Sequence, residues 1–102
     1  MSKYVCMGKT IQWFELNEDK LATATANVIK RYRAQRGLSR DRLAFEIHLH
    51  KHTLYGVEVG VKRKSGRFSK TQLTLSNFIK ISSFFQVPPG DFLQEVLDEY
   101  AK

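Results

Sequence analysis

The sequence predicts a single all-α domain of five helices, and three observations lead to this prediction. Apolar residues recur at three- and four-residue steps in successive segments, which is the spacing of one face of a helix. These segments are bounded by residues that favour helix ends, such as Ser39 at a start and Gly60 at an end. A chain of 102 residues also has room for one compact domain with one core.

The first two predicted helices lie between Asn17 and the turn at His48. Asn17 is the expected N-cap of a helix that runs to about Arg36, and Gly37 supplies its C-terminal stop. A second, short helix begins at Ser39, whose hydroxyl can cap it. The predicted inward residues are Leu21, Ala24, Val28, Ile29 and Tyr32 in the first helix, and Leu43, Ala44 and Ile47 in the second.

Three further helices follow the turn around His48 and Leu49. The third is expected from about Lys51 to Glu58, the fourth starts near Thr74 and is ended by Pro88 and Pro89, and the fifth carries Asp91 in its first turn. Their predicted apolar faces hold Leu54 and Val57 in the third helix, Leu75, Phe78, Ile79, Ile81, Phe84 and Phe85 in the fourth, and Phe92, Leu93, Val96, Leu97 and Tyr100 in the fifth.

Two segments do not follow the helical pattern. Residues 1–16 are interpreted as an N-terminal extension to the domain at 17–102, and strand-favouring residues around Gly8 are compatible with a short β-hairpin. Residues 61–73 mix basic and polar residues without a clear period, which predicts a basic loop.

Positive charge is concentrated in the middle of the chain. The net charge is zero over residues 1–27, +9 over residues 28–70 and −2 over residues 71–102. Such a block attracts a polyanion, and nucleic acid is favoured over a membrane surface because the block is divided among several short elements. The sequence shows neither an apolar run long enough to span a bilayer nor a secretory signal, and Cys6 is a lone thiol, so we expect a cytoplasmic protein.

The two short helices at 39–60 form a helix-turn-helix pattern with polar residues on its exposed side. The outward positions of the third helix hold Lys51, His52 and Tyr55. A helix fits the major groove of duplex DNA, where such side chains reach base edges. Arg40, in the first turn of the second helix, is placed to hold a phosphate beside them.

The run LSRDRLAFEIHLHKHTLYGVEVG, from Leu38 to Gly60, resembles the helix-turn-helix of the Cro-like phage-repressor family, also called the xenobiotic-response-element type. The likeness includes Leu38-Ser39, Leu43-Ala44, the apolar residues at 47, 49, 54 and 57, and the ending Glu58-x-Gly60. It extends over residues 21 to 97. The resemblance implies a five-helix repressor-like domain that binds double-stranded DNA as a homodimer.

The resemblance also implies which residues contact DNA. The base-reading positions fall on Lys51, His52 and Gly56, with Thr53 and Tyr55 nearby, although Gly56 has no side chain to read a base. Phosphate contacts are implied for Arg40, His50, Lys62, Arg63, Lys64 and Arg67. His48 stands where the family has a turn glycine, so we expect some backbone strain there. The loop at 61–73 is longer than usual, and either a second DNA contact, such as a wing, or a solvated insertion accounts for it.

Other classes of function find less support in the sequence. His48, His50 and His52 alternate on a turn and would not converge on a metal, and no cofactor or small-molecule substrate is expected. No nucleophile elbow or phosphate-binding glycine loop is present, so an enzyme is not expected. The predicted function is a sequence-specific DNA-binding regulator, with a repressor expected. The alternatives are an antitoxin-like or accessory protein-interaction module, which an exposed apolar patch built from Trp13, Phe14 and the fifth helix would favour, and a non-specific nucleic-acid binder of a plasmid or phage.

Overall fold

The structure is a computed structural model that describes residues 15–102 and, before them, the backbone of residues 5–6 and 9–10. In chain order its elements are β1 (Val5–Cys6), β2 (Lys9–Thr10), α1 (Glu18–Gln35), α2 (Arg40–Glu46), α3 (Lys51–Glu58), β3 (Val61–Lys62), β4 (Phe68–Ser69), α4 (Leu75–Phe84) and α5 (Pro89–Tyr100). The prediction of a five-helix, mainly helical domain is confirmed. Of the helices in these ranges, none combines the length and the hydropathy that crossing a bilayer needs.

The predicted N-caps form in the structure. In each case a side-chain oxygen accepts a hydrogen bond from a backbone N–H in the first turn, which satisfies one of the donors left unpaired at a helix start. The pairs are Asn17 with Lys20 at 3.1 Å, Ser39 with Arg42 at 3.1 Å and Thr74 with Asn77 at 3.2 Å. Local sequence therefore determines where α1, α2 and α4 begin.

Three helices end with the same backbone arrangement, a Schellman motif around a residue of positive φ. These residues are Gly37 after α1, His48 after α2 and Gln86 after α4, with φ of 59°, 57° and 60°. In each motif the next N–H donates to a carbonyl five residues back, as Leu49 does to Ala44 at 2.8 Å. His48 thus has the left-handed conformation for which we expected some backbone strain.

The end of α4 differs from the prediction. The helix stops at Phe84, with Phe85 as its C-cap, before the chain reaches Pro88. The left-handed residue Gln86 ends it, whereas Pro88 and Pro89 begin α5, with Pro89 at the first helical position. Proline is well placed there because its fixed φ suits a helix start and its missing N–H would have no partner.

The core lies where α1 crosses the other helices, and α1 packs most extensively on α5 and α3. Its members include most of the residues predicted to point inward: Ala24, Val28, Ile29, Leu43, Ala44, Ile47, Leu54, Val57, Ile81, Phe85, Phe92, Val96 and Tyr100. Leu75, Ile79 and Leu93, which were predicted on apolar faces, are 75%, 42% and 42% exposed. The buried residues of α4 lie in its C-terminal half, so its N-terminal half stands at the edge of the core.

Residues 61–73 are not the irregular loop that the sequence predicted. β3 and β4 pair antiparallel with Val61 opposite Ser69 and Lys62 opposite Phe68. Gly66, with φ of 89°, lies in the turn between them, and its N–H donates to the Arg63 carbonyl at 2.9 Å. β1 and β2 also pair antiparallel, as the strand-favouring composition around Gly8 suggested.

Candidate nucleic-acid interface

The exposed side of α3 begins with three polar residues in the first turn. Lys51, His52 and Thr53 are all exposed, and the sequence had predicted Lys51 and His52 on the outward side. His50 is the N-cap of the helix, and its Nδ1 accepts from the backbone N–H of His52 at 3.2 Å. The two imidazole rings stack with centroids 4.9 Å apart. A neutral ring that accepts at Nδ1 carries its proton on Nε2, so His50 keeps one donor free for a ligand.

Tyr55 lies one helical turn beyond Lys51 and is 45% exposed. The Arg40 guanidinium lies over its ring at 4.9 Å from the centroid, and Arg40 Nη1 is 3.7 Å from an Oε1 of Glu58. The Arg40 side chain is 27% exposed, so it is partly buried against α3. This contact brings α2 and α3 together beside the exposed turn, and the phosphate contact of Arg40 stays a prediction.

An ion pair that the sequence analysis missed fixes the C-terminal end of α3. Glu58 is fully buried, and the Arg33 guanidinium donates to both of its carboxylate oxygens, at 2.6 and 2.9 Å. Arg33 also donates to the Leu38 carbonyl at 2.8 Å. The available signal was position, because Glu58 follows the buried Leu54 by four residues and must share its inward face.

Gly56 occupies a position for which the resemblance implied base reading, but the structure buries it. A side chain at this position would meet Thr71 Oγ1 at 2.7 Å and Val61 at 3.7 Å. The Thr71 N–H donates to the Gly56 carbonyl at 2.8 Å. Gly56 is therefore a contact between α3 and the β3–β4 hairpin and is not part of the exposed surface.

The basic residues of the hairpin differ in their surroundings. Arg63 donates from Nε to Ser69 Oγ at 3.0 Å and from Nη2 to Thr71 Oγ1 at 3.3 Å, while Arg67 forms an ion pair with Asp19 of α1. Lys62 and Lys64 are exposed, and within residues 15–102 neither side chain forms a hydrogen bond or an ion pair. The four predicted phosphate contacts thus divide into two held arginines and two free lysines.

The alternating histidines do not form a metal site in the part of the chain that is described. Among those residues, no three His, Cys, Asp or Glu side chains are grouped to hold an ion. His50 instead caps α3, and His48 occupies the left-handed turn position before it. Trp13 and Phe14, which were considered for a partner contact, lie outside the described residues.

Comparison with known proteins adds information on the fold. No protein-family model matches the chain, and no curated protein matches its sequence. Among solved structures, the chain is similar to a mutant of the restriction-modification controller protein C.Esp1396I, with a TM-score of 0.63 and 22% identity. The match covers 81% of this chain and 99% of that one. The chain therefore shares the fold of that controller protein.

Proposed function

We propose that the protein is a transcriptional regulator that binds double-stranded DNA sequence-specifically, with α3 in the major groove. The observation that carries the proposal is the exposed first turn of α3, where Lys51, His52 and Thr53 project from a helix whose far end is anchored by the buried Glu58. Base reading needs donors and acceptors at fixed positions, which a helix held at both ends provides. Tyr55 extends the same surface by one turn.

Charge and fold support the same function. The segment with a net charge of +9 contains α2, α3 and the hairpin. Positive charge is therefore concentrated in the elements that would approach the DNA phosphates. In this role His50 would donate from Nε2 to a phosphate, and Arg40 would contact the next one. A controller protein of the same fold is a precedent for regulation, and a repressor in the cytoplasm is the specific form that we propose.

The regulator is proposed to act as a homodimer on half-sites about one helical turn apart. A groove of about 240 Å³ is lined by residues of α1, of the segment before α4, of α4 and of α5, and its described lining residues include none from α2 or α3. Leu75 and Leu93 stand exposed at this groove. A second subunit there would leave α3 free for DNA. The same groove favours the second candidate, a protein-interaction module whose partner binds to it.

Footprinting on the DNA upstream of the protein's own gene tests the proposal. We expect protection of a short, roughly palindromic site, and affinity for a scrambled duplex lower by about 10³-fold or more. Lys51→Ala combined with His52→Ala should reduce this ratio strongly while leaving weak, salt-sensitive binding. Lys30→Ala, which removes an exposed charge from α1, is the control.

The outcomes distinguish the candidates. If site discrimination survives the double substitution in α3, the recognition-helix assignment is wrong. Uniform protection of all sequences would indicate a non-specific nucleic-acid binder. Absence of DNA binding, together with binding to a protein partner that Leu75→Asp abolishes, would indicate the interaction module.

A further inference from the structure

The β3–β4 hairpin lies on the same face of α3 as a predicted base-reading residue. Gly56 follows His52 by four residues, so the two positions are stacked on one side of the helix, about 6 Å apart along its axis. Val61, the first residue of β3, and Thr71, two residues after β4, cover Gly56. The base of the hairpin therefore lies about one helical turn beyond His52, at the edge of the proposed DNA-binding surface.

The hairpin is held in this position from several sides. At Gly60, which has φ of 116°, a side chain would meet the Phe68 ring at 2.8 Å. The chain that follows α3 therefore lies close against β4. Arg63 ties β3 to Ser69 and Thr71, and Arg67 is joined to Asp19 of α1. These contacts make the hairpin a preformed projection on α3 and α1, so a ligand need not order it.

The charge of the hairpin suits one kind of ligand. Residues 61–70 contain five lysines and arginines and no acidic residue. Because Arg63 and Arg67 already have polar partners, binding of a phosphate by either would disrupt a contact. Lys62 and Lys64 are exposed without any such partner among the described residues, so they can neutralise phosphates at little cost.

We propose that the hairpin is a wing that binds the DNA backbone at the flank of the base pairs contacted by α3, through Lys62 and Lys64, while Arg63 and Arg67 hold it in place. This inference rests on the proposed binding of DNA by α3. It replaces the view of residues 61–73 as a solvated insertion, and it narrows the four phosphate contacts expected in this segment to two. A backbone contact carries no sequence information, so the wing adds affinity and length to the site without adding discrimination.

The test measures the salt dependence of binding for Lys62→Ala combined with Lys64→Ala. Anisotropy titrations with the upstream site and with a scrambled duplex, from about 50 to about 200 mM salt, give the slope of log affinity against log salt. Loss of two phosphate contacts should reduce the magnitude of this slope by about 1.8 for both duplexes. The footprint should shorten on the flank, and the ratio of affinities should stay within about twofold.

Two further variants make the result specific. Lys30→Ala with Lys102→Ala removes the same charge from α1 and from the end of the chain, and it should change the slope by less than about 0.5. Arg67→Ala should change the slope less than loss of either lysine. An equal change for Arg67→Ala would place that residue on DNA and overturn the division proposed here.

The failure of this inference differs from the failure of the proposed function. If the unaltered protein protects a specific site but the two lysine substitutions change neither slope nor footprint, the wing is refuted and the role of α3 stands. If the unaltered protein discriminates no site, the proposed function fails and the wing with it.

Discussion

The buried ion pair between Arg33 and Glu58 leads to a sharp prediction for Arg33→Met. The substitution keeps most of the side-chain volume but removes the donors that lie 2.6 and 2.9 Å from the carboxylate oxygens. Glu58 is fully buried, so water cannot solvate its charge when the arginine is removed. Loss of one partner of such a pair costs about 3–5 kcal/mol. Because Arg40 remains 3.7 Å away, we expect a value near the lower end, about 3 kcal/mol.

This loss is large enough for standard assays. A domain of this size has a total stability of about 5–15 kcal/mol, so the variant should still fold at low temperature. Its melting temperature should fall by roughly 12–24 °C, and its urea midpoint by roughly 1–3 M, as followed by circular dichroism.

Two companion variants isolate the cause. Arg31→Met makes the same substitution on the same helix, but its pair with Glu99 at 2.7 Å is 43% exposed on the arginine side and should contribute at most about 1 kcal/mol. Arg33→Met combined with Glu58→Met removes both charges and should recover most of the loss. The reasoning is refuted if Arg33→Met costs no more than Arg31→Met, or if the double variant is less stable than the single one.

Three more substitutions test other contacts, each by urea denaturation. Gly56→Ala should destabilise the fold by about 1 kcal/mol, despite the better helix propensity of alanine, because Thr71 Oγ1 lies 2.7 Å from the new Cβ. Adding Thr71→Ala should restore the lost stability, and a single variant as stable as the unaltered protein would contradict the close approach. His48→Gly should stabilise by about 0.5–1 kcal/mol, since φ of 57° suits glycine, and a loss would show that the imidazole makes a needed contact. Burial and the hydrogen bond to Glu95 raise the pKa of Tyr32 to about 12. The stability that the neutral Tyr32 contributes is therefore present below pH 10 and is lost as the pH rises through 12. This loss of stability, relative to pH 9, should be absent in Tyr32→Phe, and equal losses in both proteins would refute the prediction.

The elements that the sequence predicted correctly are those with local causes. The starts of α1, α2 and α4 follow from capping residues, and the inward faces follow from a three- to four-residue apolar period, both of which can be read within one segment. The hairpin at 61–69 escaped because each of its strands has only two residues, which is too short for an alternating pattern. Its position depends on Gly56 and Gly60, whose partners lie 15 and 8 residues further along the chain.

The left-handed ends of α2 and α4 show a second limit of local reasoning. Gly37 is a sequence signal for the end of α1, because glycine readily adopts positive φ. His48 and Gln86 adopt the same conformation although their side chains disfavour it. Long-range packing imposes it, because Leu49 and Val87 follow these residues and pack on the core. At His48 the resemblance to a known turn identified the position, but at Gln86 no sequence pattern did, and the prolines were assigned to the wrong helix.

For the candidate site, the sequence predicted which α3 residues are exposed but not what holds the helix in place. Lys51, His52 and Tyr55 could be assigned because the apolar positions Leu54 and Val57 define the inward side. The supports of α3 come from residues distant in sequence, Arg33 at its C-terminal end and Thr71 across Gly56.

If α3 binds DNA as proposed, these supports bear on specificity as well as on stability. An eight-residue helix is too short to be stable alone, so tertiary contacts must fix its orientation. A recognition helix that could rotate by one residue would present a different set of side chains to the bases, and wrong sequences would then be bound almost as well as the correct one. The buried carboxylate at the C-terminal end of α3 resists such a rotation, because any displacement of Glu58 breaks two charge-assisted hydrogen bonds at once. In the proposed function, the net charge of the central segment would attract any duplex, whereas discrimination between duplexes would require this fixed geometry.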